Sequence, residues 1–163
     1  MVLVRIVPDI RSINKRTAMI KQFANNYENV LDKLKDLPPL IMRGFLVYGF
    51  YSPALYKVTD FTGTAKWFDH LGMPLPTLNA YLAGITEMSG VVLLALGLGV
   101  RYISFPLIIT MIVAIMTVHI DNGFSAAHNG VEIPIYFIVM LVALMVYGPG
   151  RLSLDHLIKS RKK

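Results

Sequence analysis

The sequence predicts an all-α integral membrane protein, a four-transmembrane-helix bundle with an N-terminal amphipathic interfacial helix. Three observations carry this. Four apolar stretches follow one another, at about 38–58, 78–100, 102–120 and 131–147, each long enough or nearly long enough to cross a bilayer. Hydrophobic residues make up 55% of the 163 and charged ones only 16%, less charge than a soluble domain carries. The Lys and Arg residues gather in alternate connections, as the positive-inside rule requires of a membrane protein. Four spans and their short connections use about three quarters of such a chain, so one membrane domain is expected over 38–158, between a region of arm and helix (1–37) and a basic tail (159–163).

Taken in order, residues 1–16 form a basic arm with Arg5, Arg11, Lys15 and Arg16. From about Thr17 the pattern turns helical. Met19, Ile20, Phe23, Tyr27, Val30, Leu31 and Leu34 recur at steps of three and four, with Lys and Asp between them. That segment is too polar to span and reads as a helix lying in the inner interface. Pro38–Pro39 ends it and starts the first span, which contains Pro53 and closes at Tyr56–Lys57, an aromatic and a snorkelling cation. Thr64 to Gly72 reads as a short outer helix with Trp67 as interface anchor. The second span is rich in small residues (Ala83, Gly84, Gly90, Gly97) that let helices approach closely. A turn around Gly99–Arg101 makes spans two and three a tight hairpin. The third span closes at His119–Gly123, and the fourth stops at Gly148-Pro-Gly-Arg151. Leu152, Leu154, Leu157 and Ile158 suggest a last short interfacial helix.

The net charge of +6 belongs to topology and not to nucleic-acid binding, because the cations sit outside the spans. Seven Lys and Arg precede Arg43, Arg101 lies in the second turn, and five more follow Gly150; the other side has only Lys57 and Lys66. Both termini are therefore expected in the cytoplasm of a cell with this protein in its inner membrane. The chain has no Cys, which removes disulfides, thiol redox chemistry, thiolate iron–sulfur ligation and Cys-based zinc sites. Arg5 and Pro8–Asp9 interrupt any signal-peptide core, so no cleaved leader is expected.

Ionisable residues inside spans are costly and mark function by default. They are Arg43, Glu87, His119 and Glu132. A lone carboxylate at the depth of Glu87 costs about 2.5–3.5 kcal/mol on insertion scales, so Glu87 must be neutral, paired or facing a polar cavity. Arg43 is long enough to meet it. The pair reads either as a brace between helices or as a ligand and proton-handling site. His119, His128 and Glu132 form a sparse metal-ligand set, without the paired-His spacing of a zinc helix and with Gly130 between the last two. Tyr48 and Tyr51 in span one are candidates to line a headgroup pocket.

The run Trp67-Phe-Asp-His-Leu-Gly-Met-Pro74, then Tyr81-Leu-Ala-Gly-Ile-Thr-Glu87, then Leu96-Gly-Leu-Gly-Val-Arg101, resembles the DoxX family. So do Val118-His119, Asn122-Gly-Phe124, Asn129-Gly-Val-Glu132 and Gly148-Pro-Gly-Arg-Leu-Ser-Leu-Asp155. The resemblance runs over roughly residues 38–158. It implies a small four-helix inner-membrane protein whose intramembrane Arg, Glu, His and second Glu correspond to Arg43, Glu87, His119 and Glu132. DoxX-type proteins include a DoxD branch tied to quinone-coupled thiosulfate oxidation, a branch linked to detoxifying enzymes in a membrane complex, and one that accompanies copper-chelating peptide clusters.

The expected function is an accessory membrane subunit of a redox system, with a polar pocket for a quinone or small amphiphile, or for docking a partner. The motive is a buried polar set with no redox-active side chain beside it. The alternatives are a quinone-dependent oxidoreductase, with Arg43 or Glu87 holding a quinone carbonyl and His119 or Glu87 moving protons, and a small-molecule transporter. The bilayer, a membrane or peripheral redox protein and a second copy of the chain are the expected partners.

Overall fold

The computed structural model describes residues 10–161, with side chains from Met19 onward. The arm expected over residues 1–9 and Lys162–Lys163 of the tail lie outside the described residues. Among the described residues every regular element is helical. The chain divides into two compact units, Met1–Lys35 and Asp36–Lys163.

The first unit holds helix α1, Ile10–Leu34, which begins several residues before the apolar pattern does. Its apolar side chains from Met19 to Leu34 share one face by spacing and are exposed along the helix.

The second unit contains α2 (Leu37–Thr59), α3 (Phe61–His70), α4 (Pro76–Leu96), α5 (Val100–Ala114), α6 (Glu132–Tyr147) and α7 (Leu154–Ser160). Helix α4 and the continuous run Val100–Asn122 are long and apolar enough to cross a membrane; α6 is apolar but shorter, at 16 residues. Helix α2 has 23 residues and carries Arg43 and Lys57. Neighbours close a ring: α2 packs on α4, α4 on α5, α5 on α6 and α6 on α2, with α3 laid against α4.

Each long helix buries a stripe. On α2 it runs Leu46, Phe50, Ala54, and on α4 Val91, Leu94; Val100 and Leu107 of α5 and Leu141 and Leu144 of α6 complete the core. Close backbone approach depends on missing side chains. A Cβ on Gly49 would collide with the Phe137 ring, and one on Gly90 would sit 2.8 Å from the Leu107 methyls. The outward faces are apolar too: Phe45, Ile85, Phe105, Met116, Val139 and Val146 are all exposed.

Helix boundaries follow local chemistry. Asp60 ends α2 and caps α3, its carboxylate accepting from the Gly63 amide at 2.8 Å, so α3 starts at Phe61 and not at Thr64. Helix α4 stops at Leu96, four residues before the expected end of the second span, because Gly97 and Gly99 both take left-handed φ (+67° and +59°). Helix α5 loosens at Ile115–His119 into a π-helical turn and then tightens at Ile120–Asn122. Ser153 caps α7 through the His156 amide.

Candidate functional site

The polar residues of the bundle form two centres at opposite ends of α2, and Arg43 and Glu87 belong to different ones. Arg43 is 4% exposed and its guanidinium donates to four backbone carbonyls. Nε reaches Leu94 O (2.7 Å) and Nη2 reaches Ala95 O (3.1 Å), both in the last turn of α4. Nη1 reaches Leu152 O (2.8 Å) and Pro149 O (3.1 Å) in the Gly148–Ser153 loop. A cation at a helix C-terminus meets the carbonyls that have no partner inside the helix, and the planar fork suits several acceptors at once. The same loop is tied further by Gly99 N to Asp155 Oδ1 (2.9 Å), Asp155 N to Gly97 O (3.1 Å) and Arg151 N to Asp36 Oδ1 (2.9 Å). Arg43 is thus a structural latch. Arg43 does not meet Glu87, one of the two courses open to its side chain, because it lies level with the end of α4, about 10 Å along the helix from Glu87.

Glu87 pairs instead with Lys57: Nζ donates to Oε2 at 2.8 Å, with side chains 14% and 6% exposed respectively. Lys57 does not snorkel outward as expected. A Cβ on Gly84 would lie 3.3 Å from the Lys57 Cβ, and the ammonium reaches one turn further in, to Glu87. Glycine at position 84 opens the path that turns this cation inward.

Both partners line a cavity of about 770 Å³. It lies at the end of the bundle opposite Arg43, among the second half of α2, the first half of α4, the far part of α5 and the start of α6, with Trp67 and Phe68 of α3 at its edge. Most of its lining is apolar: Phe50, Leu82, Ile109, Val113, Ile133 and Phe137 are typical. Glu87 Oε1 carries no hydrogen bond among the described residues, and Lys57 Nζ carries only the one.

His119, at the end of the π-helical turn, also lines the cavity. Its Nδ1 lies 2.8 Å from Asn129 O. A carbonyl can only accept, so Nδ1 carries the hydrogen and Nε2 of the neutral ring is an acceptor. Such turns recur at functional positions. Glu132 is occupied elsewhere, with Oε2 accepting from Ala126 N (2.9 Å) and Oε1 from Tyr136 Oη (3.1 Å). It closes the 123–131 loop, where Gly130 packs directly on Gly123 and Phe124 backbone. Of the four intramembrane candidates, Glu87 and His119 share the cavity and Arg43 and Glu132 do not. Tyr48 is 85% exposed on the outer flank of α2, and neither it nor Tyr51 lines the cavity. Among the described residues no group of three His, Asp or Glu is placed to hold a metal, so His119, His128 and Glu132 do not converge.

Lys57 is the residue that sequence reasoning misplaced. Its position was legible: Arg43, Leu46, Phe50, Ala54 and Lys57 follow at steps of three, four, four and three, a single stripe on a helix. The stripe is buried at its first four members, so its fifth also faces inward.

Fold and site define a small all-helical membrane protein with an apolar cavity walled in part by a buried ion pair. The family comparison matches DoxX over residues 39–120. An uncharacterized protein of Haemophilus influenzae is 33% identical over 124 residues, 74% of this chain and 82% of that one. An uncharacterized membrane protein of Mycobacterium tuberculosis is 30% identical over 138 residues, 76% and 84% of the two chains. A Bacillus subtilis protein named "Putative oxidoreductase CatD" is 27% identical over 133 residues, 82% and 96% of the two chains. No solved structure matches. The chain belongs to the DoxX family.

Proposed function

We propose that this protein is a multi-pass inner-membrane subunit of a redox system that holds a small amphiphile, a quinone first of all, in the cavity walled by Lys57, Glu87 and His119. The observation that carries this is the cavity itself: about 770 Å³, with an ion pair on one wall and an imidazole on another. Ligand sites of this kind are mostly apolar with a few placed polar groups. A quinone ring fits the donor set. Lys57 N–H groups not used by Glu87 can donate to a carbonyl, and His119 Nε2 can accept from a hydroxyl of the reduced form. When bound, such a group carries electrons and protons together. The relative named as an oxidoreductase supports a redox setting.

Four helices, α2, α4, α5 with its continuation, and α6, cross the bilayer in this reading, and α1 lies in the inner interface. The apolar outward faces support the spans, and the distribution of Lys and Arg supports cytoplasmic termini, with the 60–75 and 123–131 connections outside. In this reading the subunit works with a membrane or peripheral redox protein, a setting to which the relative named as an oxidoreductase lends support.

Trp67 is the single tryptophan and lines the cavity, so its fluorescence reports occupancy. Protein extracted in mild detergent should retain quinone detectable by mass spectrometry, and added quinone should quench Trp67 saturably. Absence of both would sink the quinone reading. Quinone turnover by the purified chain with a supplied donor would instead favour an oxidoreductase over an accessory subunit.

A further inference from the structure

The Lys57–Glu87 pair does more than its distance requires of a brace. Two charges that only fasten α2 to α4 would be sealed between the helices, and a well-packed apolar pair would serve as well. Here both side chains form part of the cavity wall. Among the described residues Lys57 is the only Lys or Arg on that wall, and the chain has no Cys. The hydroxyls of Thr110 and Thr117, also on the wall, are committed to Leu107 O and Val113 O at 2.8 Å each. Thr86 and the Nε2 of His119 also line the wall, but toward a carbonyl carbon only a primary amine, once a proton leaves it, condenses to a carbon–nitrogen double bond, and Lys57 supplies that amine. A carboxylate stands 2.8 Å away to take that proton.

We propose that Lys57 captures a lipophilic aldehyde as an imine, with Glu87 as proton shuttle and then counter-ion. This rests on the reading that the cavity admits a small amphiphile. The chemistry balances without oxidant or reductant. Glu87 Oε2 takes a proton from the Lys57 ammonium and frees the Nζ lone pair. Nζ attacks the aldehyde carbon; the carbon–nitrogen bond forms as the carbonyl π pair moves to oxygen. A proton passes from nitrogen to that oxygen, giving a neutral carbinolamine. Glu87 returns its proton to the hydroxyl, the carbon–oxygen bond breaks and water leaves. The product is a positively charged iminium beside the Glu87 carboxylate, the same charge balance as the starting pair. Amines in apolar pockets are recurrent covalent catalysts toward carbonyls, and intramembrane carboxylates serve as counter-ions to such groups. Imines hydrolyse in water, so the adduct in the cavity is reversible until it is reduced.

The test uses the full chain in detergent with decanal and sodium cyanoborohydride, which fixes an imine as a stable secondary amine, followed by peptide mass spectrometry. Decanol, of the same shape but unable to condense, is read separately through Trp67 fluorescence. The expected result is alkylation of Lys57 at least about tenfold above exposed lysines such as Lys66 and Lys159, a ratio equal to a preference of about 1.4 kcal/mol. Lys57→Arg keeps a cation beside Glu87 and should lose the adduct, with entry to the cavity read on the parent protein through decanol. Glu87→Gln should slow capture by about a hundredfold, the scale of general acid–base assistance. If decanol enters and Lys57 reacts no faster than exposed lysines, the inference is overturned and the cavity reading stands. If neither compound enters, both fall.

Discussion

Removing one member of the Lys57–Glu87 pair should cost more than removing both. Lys57→Met deletes the cation and leaves Glu87, whose side chain is 6% exposed, without its only hydrogen-bond partner. Breaking a buried pair from one side costs about 3–5 kcal/mol. The cavity beside it lets water reach the orphaned oxygen, which argues for the lower end, about 3 kcal/mol. Glu87→Leu leaves the ammonium in the same position and should cost a similar amount. The double substitution removes both charges and keeps the volume apolar, so it should return to within about 1 kcal/mol of the parent. The coupling in the double-mutant cycle should then reach about 5 kcal/mol. The assay is unfolding of the purified protein by graded SDS in mixed micelles, followed by Trp67 fluorescence. Additive singles, or singles that each cost less than about 1 kcal/mol, would show that the two side chains do not hold each other and would refute the pairing.

Three further outcomes follow from other parts of the molecule. Arg43→Lys keeps the charge but gives up the fork that serves four carbonyls, so the same unfolding assay should show a loss of about 3 kcal/mol; parental stability would remove the latch. Cysteine at Ser125 should label from outside and cysteine at Ser160 only from inside, in a chain with no native Cys to confuse the signal; the reverse pattern would invert the topology. Deleting residues 1–35 should leave the second unit folded and inserted, since Asp36–Lys163 is compact by itself; loss of a folded product on gel filtration would make α1 part of the bundle's foundation.

Much of the helical order was legible because apolar runs of that length have few other uses. Glu87 was legible as an inward residue too: Gly84 lies one turn before it and Gly90 and Val91 one turn after, and it is indeed 4% exposed. Partner choice was not legible. It depends on the axial offset between α2 and α4, which places Arg43 level with Leu94 and Lys57 level with Gly84. Nothing in either helix alone fixes that offset. It comes from contacts made elsewhere, among them the Asp155 and Asp36 bonds that anchor the loop on which Arg43 closes. The glycine-rich strings around residues 96–101 and 148–155 stood out in the sequence as separate motifs. In the fold they are one object: Gly97 is close-packed on both Ser153 and Arg43. Glu132 lies away from the cavity for a reason that was equally hard to read. Its carboxylate serves a loop whose turns, at Gly123 and Asn129, both need positive φ and leave no helical periodicity to read.

The two cations of α2 lie on one stripe and yet cannot share a role, and hydrogen-bonding capacity explains why. Arg43 directs its fork at four carbonyls, so four of its five donors are occupied and a ligand could take more than the remaining one only by opening the end of α4. Lys57 has three donors and gives one to Glu87; Glu87 has two oxygens and uses one. His119 is held by one nitrogen and has the other free. Most of the unused capacity among these residues therefore lies at the cavity end of the bundle, beside apolar walls that cannot satisfy it. A ligand that enters there gains hydrogen bonds at little cost to the fold, whereas one that approached Arg43 would have to break existing ones. Rigidity at one end and unmet polar valence at the other is the arrangement that a binding site in a lipid-embedded bundle needs.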